Sequence, residues 1–352
     1  MSFQIGGREI GGHHPPFIIA EMSGNHNQSI DRALELVDAA AAAGAHALKL
    51  QTYTADTITL NVRSNDFLIN DKSNLWNGEN LYDLYSKAHT PWEWHKEIMD
   101  RANRMGMICF SSPFDESAVD FLEELNVPAY KIASFENNHI PLIKKAASTG
   151  KPLIISTGMA SLGEIESSVK AARDVGCTKI VLLKCTSTYP ASPMNTNIRT
   201  IPHLRQLFNT EVGLSDHSMG LGVALASVAL GASVIEKHLT LSRADGGVDS
   251  AFSLEPNELE ALVVESERAW QALGKISYGP TEAERASIKY RRSIYVAEDI
   301  SEGEIFTKQN IRIVRPGGGA SPDLYDAFLG KVATCSLTAG TPLNIESLFK
   351  MK

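Results

Sequence analysis

The sequence has little cysteine: four residues, Cys109, Cys177, Cys185 and Cys335, in a chain of 352, with no CxxC and no paired spacing. A disulfide framework is not indicated, and the thiols read as free in a reducing cytoplasm. No run of about 18 apolar residues is present, so no membrane span is expected. The opening stretch MSFQIGGREIGG lacks the basic-then-apolar layout of a signal peptide. Lysine-rich blocks are also missing, and the net charge is −8. Nucleic acid, which demands a positive field, is therefore not an expected partner. A small anionic substrate is compatible with that balance, because a few local cations suffice to hold one. There is no internal repeat and no low-complexity tail.

What the chain has is 43% hydrophobic residues, arranged in short runs that end in polar ones. Eight such runs occur: FIIAE (17–21), HALKLQ (46–51), MICFSS (107–112), AYKIAS (129–134), PLIIS (152–156), KIVLLKCTS (179–187), EVGLSDH (211–217) and SVIEKH (233–238). Helical patterns separate most of them. SIDRALELVDAAAAAG offers Ser29 as N-cap and Gly44 as C-terminal stop, and Ser161 with Glu164 forms a capping box. Eight near-continuous apolar strands alternating with helices predict a parallel sheet buried on both faces. Eight strands close a (β/α)8 TIM barrel, an α/β fold; an open doubly wound sheet is the alternative. The barrel also accounts for the polar strand ends, since barrel active sites lie at the C-terminal ends of the strands.

Residues 52–90 form an unusually long connection after the second strand, either a lid over that face or a surface subdomain. Near 275 the texture turns polar. The chain reads as a barrel over 1–280, a linker arm over 281–292 and a small, mostly β domain over 293–352. Strands are expected there in SIYVAE and KVATCSL.

Strand alternation puts Glu236 and His238 of VIEKHLTL on one face, and Ser215 and His217 of VGLSDH on another. Gathered at one mouth, the polar ends are Glu21, Lys49, Gln51, Ser112, Lys131, Ser134, Ser156, Ser187, Ser215, His217, Glu236 and His238. Lysines on apolar strands need partners. A single one is best read as a salt bridge to a nearby glutamate. Two among several hydroxyls suit a phosphate or carboxylate. His217 and His238 on neighbouring strands suit one divalent metal. Glu21 and Glu236 are open to three roles: metal ligand, base, or partner of sugar hydroxyls. Gly220 and Gly222 lack the rest of a dinucleotide fingerprint, and RPGGGASP (315–322) is not a P-loop. Cys185 reads as a core thiol.

The stretches IAEMSGNHNQS, ALKLQTYTADT, STGMAS, KCTSTYP, GLSDHSMG, VIEKHLTL and RPGGG resemble the sialic acid synthase family over nearly the whole chain. LYDLY (81–85) and LSRADGGVDSAFSLEP (241–256) look like its pseudaminic branch. The resemblance implies a barrel followed by an antifreeze-like (SAF) domain. It implies condensation of phosphoenolpyruvate with an open-chain acetamido sugar, releasing phosphate. The sugar for this branch would be 2,4-diacetamido-2,4,6-trideoxy-L-altrose; the sialic and legionaminic branches use mannose-type sugars. A non-catalytic carbohydrate-binding protein is the remote alternative.

Carried onto this chain, the resemblance places phosphoenolpyruvate on Lys49, Ser112, Lys131, Ser134, Ser156, Ser187 and Ser215. Ser187 stands where the sialic branch often has Asn. It places Mn²⁺ or Mg²⁺ on His217 and His238, Glu21 near the reacting carbons, and the sugar on Gln51, Tyr189, Glu236 and Arg315. Arg315 would reach the barrel of a second copy, which implies a domain-swapped homodimer. The family's products enter bacterial surface or flagellar glycans.

Overall fold

The computed structural model describes residues 2–72 and 75–348. The chain folds as two compact units, Met1–Gly274 and Lys275–Lys352, and residues 281–292 belong to the second.

The first unit is a closed barrel of eight parallel strands. In chain order they are β1 (Phe17–Glu21), β2 (Ala47–Thr52), β3 (Ile108–Pro113), β4 (Tyr130–Ile132), β5 (Leu153–Ser156), β6 (Ile180–Cys185), β7 (Glu211–Asp216) and β8 (Val234–His238). Closure pairs β8 with β1, so the doubly wound alternative is excluded. Every residue of β1, β7 and β8 is buried. That is why their sequences read as continuous apolar runs rather than as alternation. Each fully buried Ile, Leu or Phe in this core stabilises it by about 1.5–3 kcal/mol. Closure also depends on Gly213. A Cβ there would collide with the Val234 carbonyl, so β7 and β8 approach to a distance only glycine allows.

The helices outside the barrel start where their caps dictate. Ser29 accepts from the Arg32 N–H ahead of Ile30–Ala42, and Ser161 with Glu164 forms a reciprocal box ahead of Leu162–Asp174. A hairpin not anticipated from the sequence, Phe3–Ile5 with Arg8–Ile10, adds Ile5 and Ile10 to the barrel core.

The long connection after β2 folds into a short helix, Ala55–Ile58, a turn at Asn65–Phe67 and a helix, Leu81–Ala88. Asn80 caps the last helix by accepting from the Tyr82 N–H.

The second unit has its own core of Ile294, Val296, Ile300, Phe306, Ile311, Phe328, Ala333 and Leu343. Its strands are β9 (Ser293–Val296) and β10 (Ile311–Val314), paired antiparallel. The strand expected in KVATCSL does not form. Val332 and Leu337 make only isolated bridges, to Ile305 and Ile300. With Val332 and Cys335 both exposed, the stretch lacks the two-residue alternation that would bury one face.

Candidate active site

At the C-terminal end of the barrel lies a cavity of about 860 Å³. Register explains which side chains meet there. His238 is level with Glu21, Glu21 with Lys49, Gln51 with Ser112, and Ser215 with Glu236. Side chains two apart on one strand share a face, so β8 sends Glu236 and His238 inward. Lys237, between them, points the other way. It is buried and donates to Asp216 Oδ2 at 2.9 Å, the Ser218 carbonyl at 2.7 Å and the Gly220 carbonyl at 3.1 Å. Of the three ionisable residues ending VIEKH, two face the cavity and one ties β8 to the loop after β7.

The cavity floor is a chain of charges. Lys49 Nζ lies 2.5 Å from Glu21 Oε2 and 3.7 Å from Glu236 Oε1, and donates to Ser112 Oγ at 3.2 Å. Lys131 Nζ lies 3.9 Å from Glu236 Oε1 and donates to Ser156 Oγ at 2.7 Å. Ser215 donates to Glu236 Oε1 at 3.3 Å, and Gln51 Nε2 to Glu21 Oε1 at 2.9 Å. Each lysine thus has a glutamate partner, and each also reaches a serine hydroxyl.

The two glutamates are pushed apart in acidity. Burial raises the Glu21 carboxyl, and Lys49 only partly offsets it. Burial acts on Glu236 in the same sense, but Lys131, Lys49 and the two histidines together outweigh it and hold that carboxyl low. Burial lowers Lys131, whereas Glu21 and Glu236 overcome burial at Lys49 and raise it.

Lys131 shares the cavity lining with the hydroxyls of Ser134, Ser156 and Ser187. Gly158 N–H donates to Ser134 Oγ at 3.2 Å, and a Cβ on Gly158 would collide with Ser134 Oγ and Ser187 Oγ. Glycine therefore lets the Ser134 and Ser187 hydroxyls, both of which line the cavity, pack directly against the backbone.

On the opposite side the histidines form an aromatic corner. The rings of His217 and His238 are 5.3 Å apart, Tyr189 lies 4.7 Å from His217, and Phe252 lies 4.9 Å from His238. His217 Nδ1 is 3.0 Å from the Thr186 carbonyl. His238 Nδ1 is buried without a hydrogen-bond partner, 3.4 Å from Asp249 Oδ2. Two imidazoles, one with an orphaned nitrogen, fit two positions of a divalent metal. Among the described residues no group of three or more His, Cys, Asp or Glu is arranged to hold one. Any remaining ligands would have to be water or substrate.

Of the residues singled out in the sequence, all but Arg315 meet in or directly beneath this cavity. Ser112 sits beneath it, against Lys49. Arg315 follows β10 in the second unit and is exposed. Ser23, Asp249, Glu136 and Trp76 are among the lining residues not singled out in the sequence. Ser23 donates to Asp249 and receives from Gln51 at 3.2 Å, while Glu136 and Trp76 line the mouth. Their segments are irregular and carry no period; only the proximity of Ser23 to Glu21 and of Glu136 to Ser134 was available as a signal. Cys185 is also more than a core thiol. It lines the cavity 3.8 Å from His217 Nδ1. Although burial alone would raise it, His217, Ser134 and Lys131 bring the thiol down to about 6.

Comparison with known proteins agrees with this architecture. Residues 36–278 match the NeuB family and residues 291–348 the SAF domain. The chain is 43% identical to a pseudaminic acid synthase of Campylobacter jejuni, over 93% of this chain and 95% of that one. It is 41% identical to one of Helicobacter pylori, over 95% and 98%. A solved N-acetylneuraminic acid synthetase of Leptospira borgpetersenii superposes with a TM-score of 0.73 at 33% identity, covering 82% of this chain and 95% of that one. The chain belongs to the NeuB family, an enzyme with a synthase barrel followed by a SAF domain.

Proposed function

We propose that the protein is a pseudaminic acid synthase. It condenses phosphoenolpyruvate with 2,4-diacetamido-2,4,6-trideoxy-L-altrose, giving pseudaminic acid and inorganic phosphate. The observation that carries the reading is the floor of one cavity: two buried lysines, each beside a buried carboxylate and a serine hydroxyl, with Ser134 and Ser187 in the same lining. The choice of sugar rests on the relatives of similar length that bear this name.

In this mechanism Lys131, Ser134, Ser156 and Ser187 receive the phosphate, and Lys49 with Ser112 and Ser215 completes the phosphoenolpyruvate site. Such fixed donors stabilise charge as it develops on the departing phosphate. C3 of phosphoenolpyruvate attacks the aldehyde carbon of the sugar. Glu21 gives its proton to the aldehyde oxygen as that becomes a hydroxyl. Water adds at C2, returning a proton to Glu21, and the tetrahedral product expels phosphate by C–O cleavage. Glu236 stays ionised, holding both lysines in place. Gln51, Tyr189 and Asp249 border the sugar. His217 and His238 would hold Mn²⁺ or Mg²⁺, which when bound supplies Lewis acidity toward the aldehyde oxygen.

No arginine lines the cavity among the described residues, which favours a sugar without a second phosphate. The second reading is an N-acetylneuraminic or legionaminic acid synthase, favoured by the fold match to a sialic acid synthetase.

Phosphate release from phosphoenolpyruvate in the presence of Mn²⁺ tests the proposal. Release with the trideoxy altrose sugar and not with N-acetylmannosamine is expected. The reverse preference would move the protein to the second reading, and no release with either sugar, or with a legionaminic precursor, would remove the synthase assignment.

A further inference from the structure

The cavity is divided chemically. Its floor carries the charged strand ends, while one wall is built by the connection after β2: Ile58, Ile69, Trp76, Leu81 and Leu84, with Tyr53, Tyr85 and Asp71 adding polar groups and Asp71 the only charged one among the described residues of that segment. These are not merely the core of a decorative subdomain. The buried apolar side chains of its two helices are Ala55, Leu84 and Ala88, whereas Ile58, Ile69, Trp76 and Leu81 are half-buried and line the cavity. The wall is also held in place. Trp76 Nε1 donates to the Val248 carbonyl at 3.1 Å, and its ring lies 5.7 Å from Tyr189. Gln28 Nε2 donates to the Lys87 carbonyl at 2.9 Å and the His89 carbonyl at 2.7 Å, fastening the end of the helix Leu81–Ala88.

We infer that this wall selects the sugar by reading its far end, accepting a methyl at C6 and rejecting a hydroxymethyl. The inference rests on the proposed function. Reaction fixes C1 of the open-chain sugar at the floor, beside Glu21 and Lys49. The chain then runs outward, and C6, at its opposite end, meets the wall. A methyl is complementary to Ile58, Ile69 and Leu81. A C6 hydroxyl set against those three side chains would be desolvated with no partner among them, and an apolar site rejects an added hydroxyl by roughly a hundredfold. Ile58, Ile69 and Leu81 are thus specificity-determining residues, and the connection is a selective wall as well as a cover.

The test uses the full-length protein with phosphoenolpyruvate and two sugars that differ only at C6: the trideoxy altrose and its 6-hydroxy counterpart. Wild type is expected to favour the deoxy sugar by about a hundredfold in kcat/KM. Ile69→Ser should reduce that preference to about tenfold or less, chiefly through the sugar KM, with the phosphoenolpyruvate KM unchanged. Ile69→Val should retain the wild-type preference, and Ile58→Ser probes the same wall from a separate element. If both serine variants slow the two sugars equally, the wall does not read C6, while the pseudaminic reading survives on wild-type turnover. If wild type does not turn over the deoxy sugar, or shows no preference for it, the proposed function itself fails, or its 6-deoxy selectivity does, and the wild-type data alone reveal which.

Discussion

Glu136 shows how a single side chain's charge is set by its place in the fold. Burial pushes its carboxyl up to about 7, Lys131 pulls back only partly, and Oε2 is buried without a hydrogen-bond partner. Below the ordinary carboxylate range both folded and unfolded chains carry the proton, and the group contributes nothing to pH dependence. Above that range the unfolded chain ionises while the folded one keeps its proton. Stability therefore falls as pH rises, and the loss is complete once pH passes about 7, amounting to about 3 kcal/mol at most. Glu136→Gln removes the titration. Thermal midpoints measured from pH 5 to 8 should decline more steeply in wild type than in this variant; parallel curves would show that Glu136 does not hold its proton. The same residue marks the limit of what sequence discloses. Glu21, Lys49, His217 and His238 could be placed at one mouth because strand alternation and strand ends are periodic signals. Glu136 lies in a 3-10 turn after β4, Asp249 in a loop before another, and Ser23 has a left-handed backbone with φ of 49°. No pattern in their neighbours says which way those side chains point.

At the scale of elements, β7 and β8 are the pair on which the histidine corner depends. Gly213 lets them approach, and the buried Lys237–Asp216 contact, at 2.9 Å, fixes the turn between Asp216 and Gly220 on which His217 sits. Asp216 also receives the Ser218 N–H at 2.9 Å. Removing one partner of a buried ion pair strands the other charge and costs about 3–5 kcal/mol, whereas replacing both with apolar groups is far milder. Lys237→Met should therefore lower the unfolding midpoint in denaturant markedly, and adding Asp216→Leu should recover most of that loss. If the double variant is no better than the single one, the lysine is held by the Ser218 and Gly220 carbonyls rather than by the carboxylate. The sequence made β7 and β8 visible as apolar runs with polar ends. Strand alternation already set Lys237 on the face opposite Glu236 and His238; what it did not reveal is what holds that lysine, the Asp216 carboxylate and the Ser218 and Gly220 carbonyls, which only the neighbouring strand and its loop supply. The same limit explains KVATCSL, whose residues have strand propensity but no continuous partner.

On the scale of the whole molecule, the family resemblance implies a pairing of two copies in which Arg315 from one would supply a guanidinium that the cavity lining of the other lacks among the described residues. The sequence could name Arg315 through its RPGGG stretch, yet a residue acting across copies has no signature in the spacing of a single chain. Complementation isolates the claim. Lys49→Ala disables the barrel and Arg315→Ala disables the tail, so each purified alone should be nearly inactive in phosphate release. Co-refolded in equal amounts, random pairing makes half the dimers mixed. If tails cross, each mixed dimer contains one site with both groups intact, and about a quarter of wild-type activity returns. If Arg315 serves its own barrel, every site in the mixture lacks one group and nothing returns. Sedimentation of the same mixture separates that outcome from a failure to pair: dimers without restored activity would overturn the crossed arrangement, and wild-type protein that sediments as a fully active monomer would overturn the dimer.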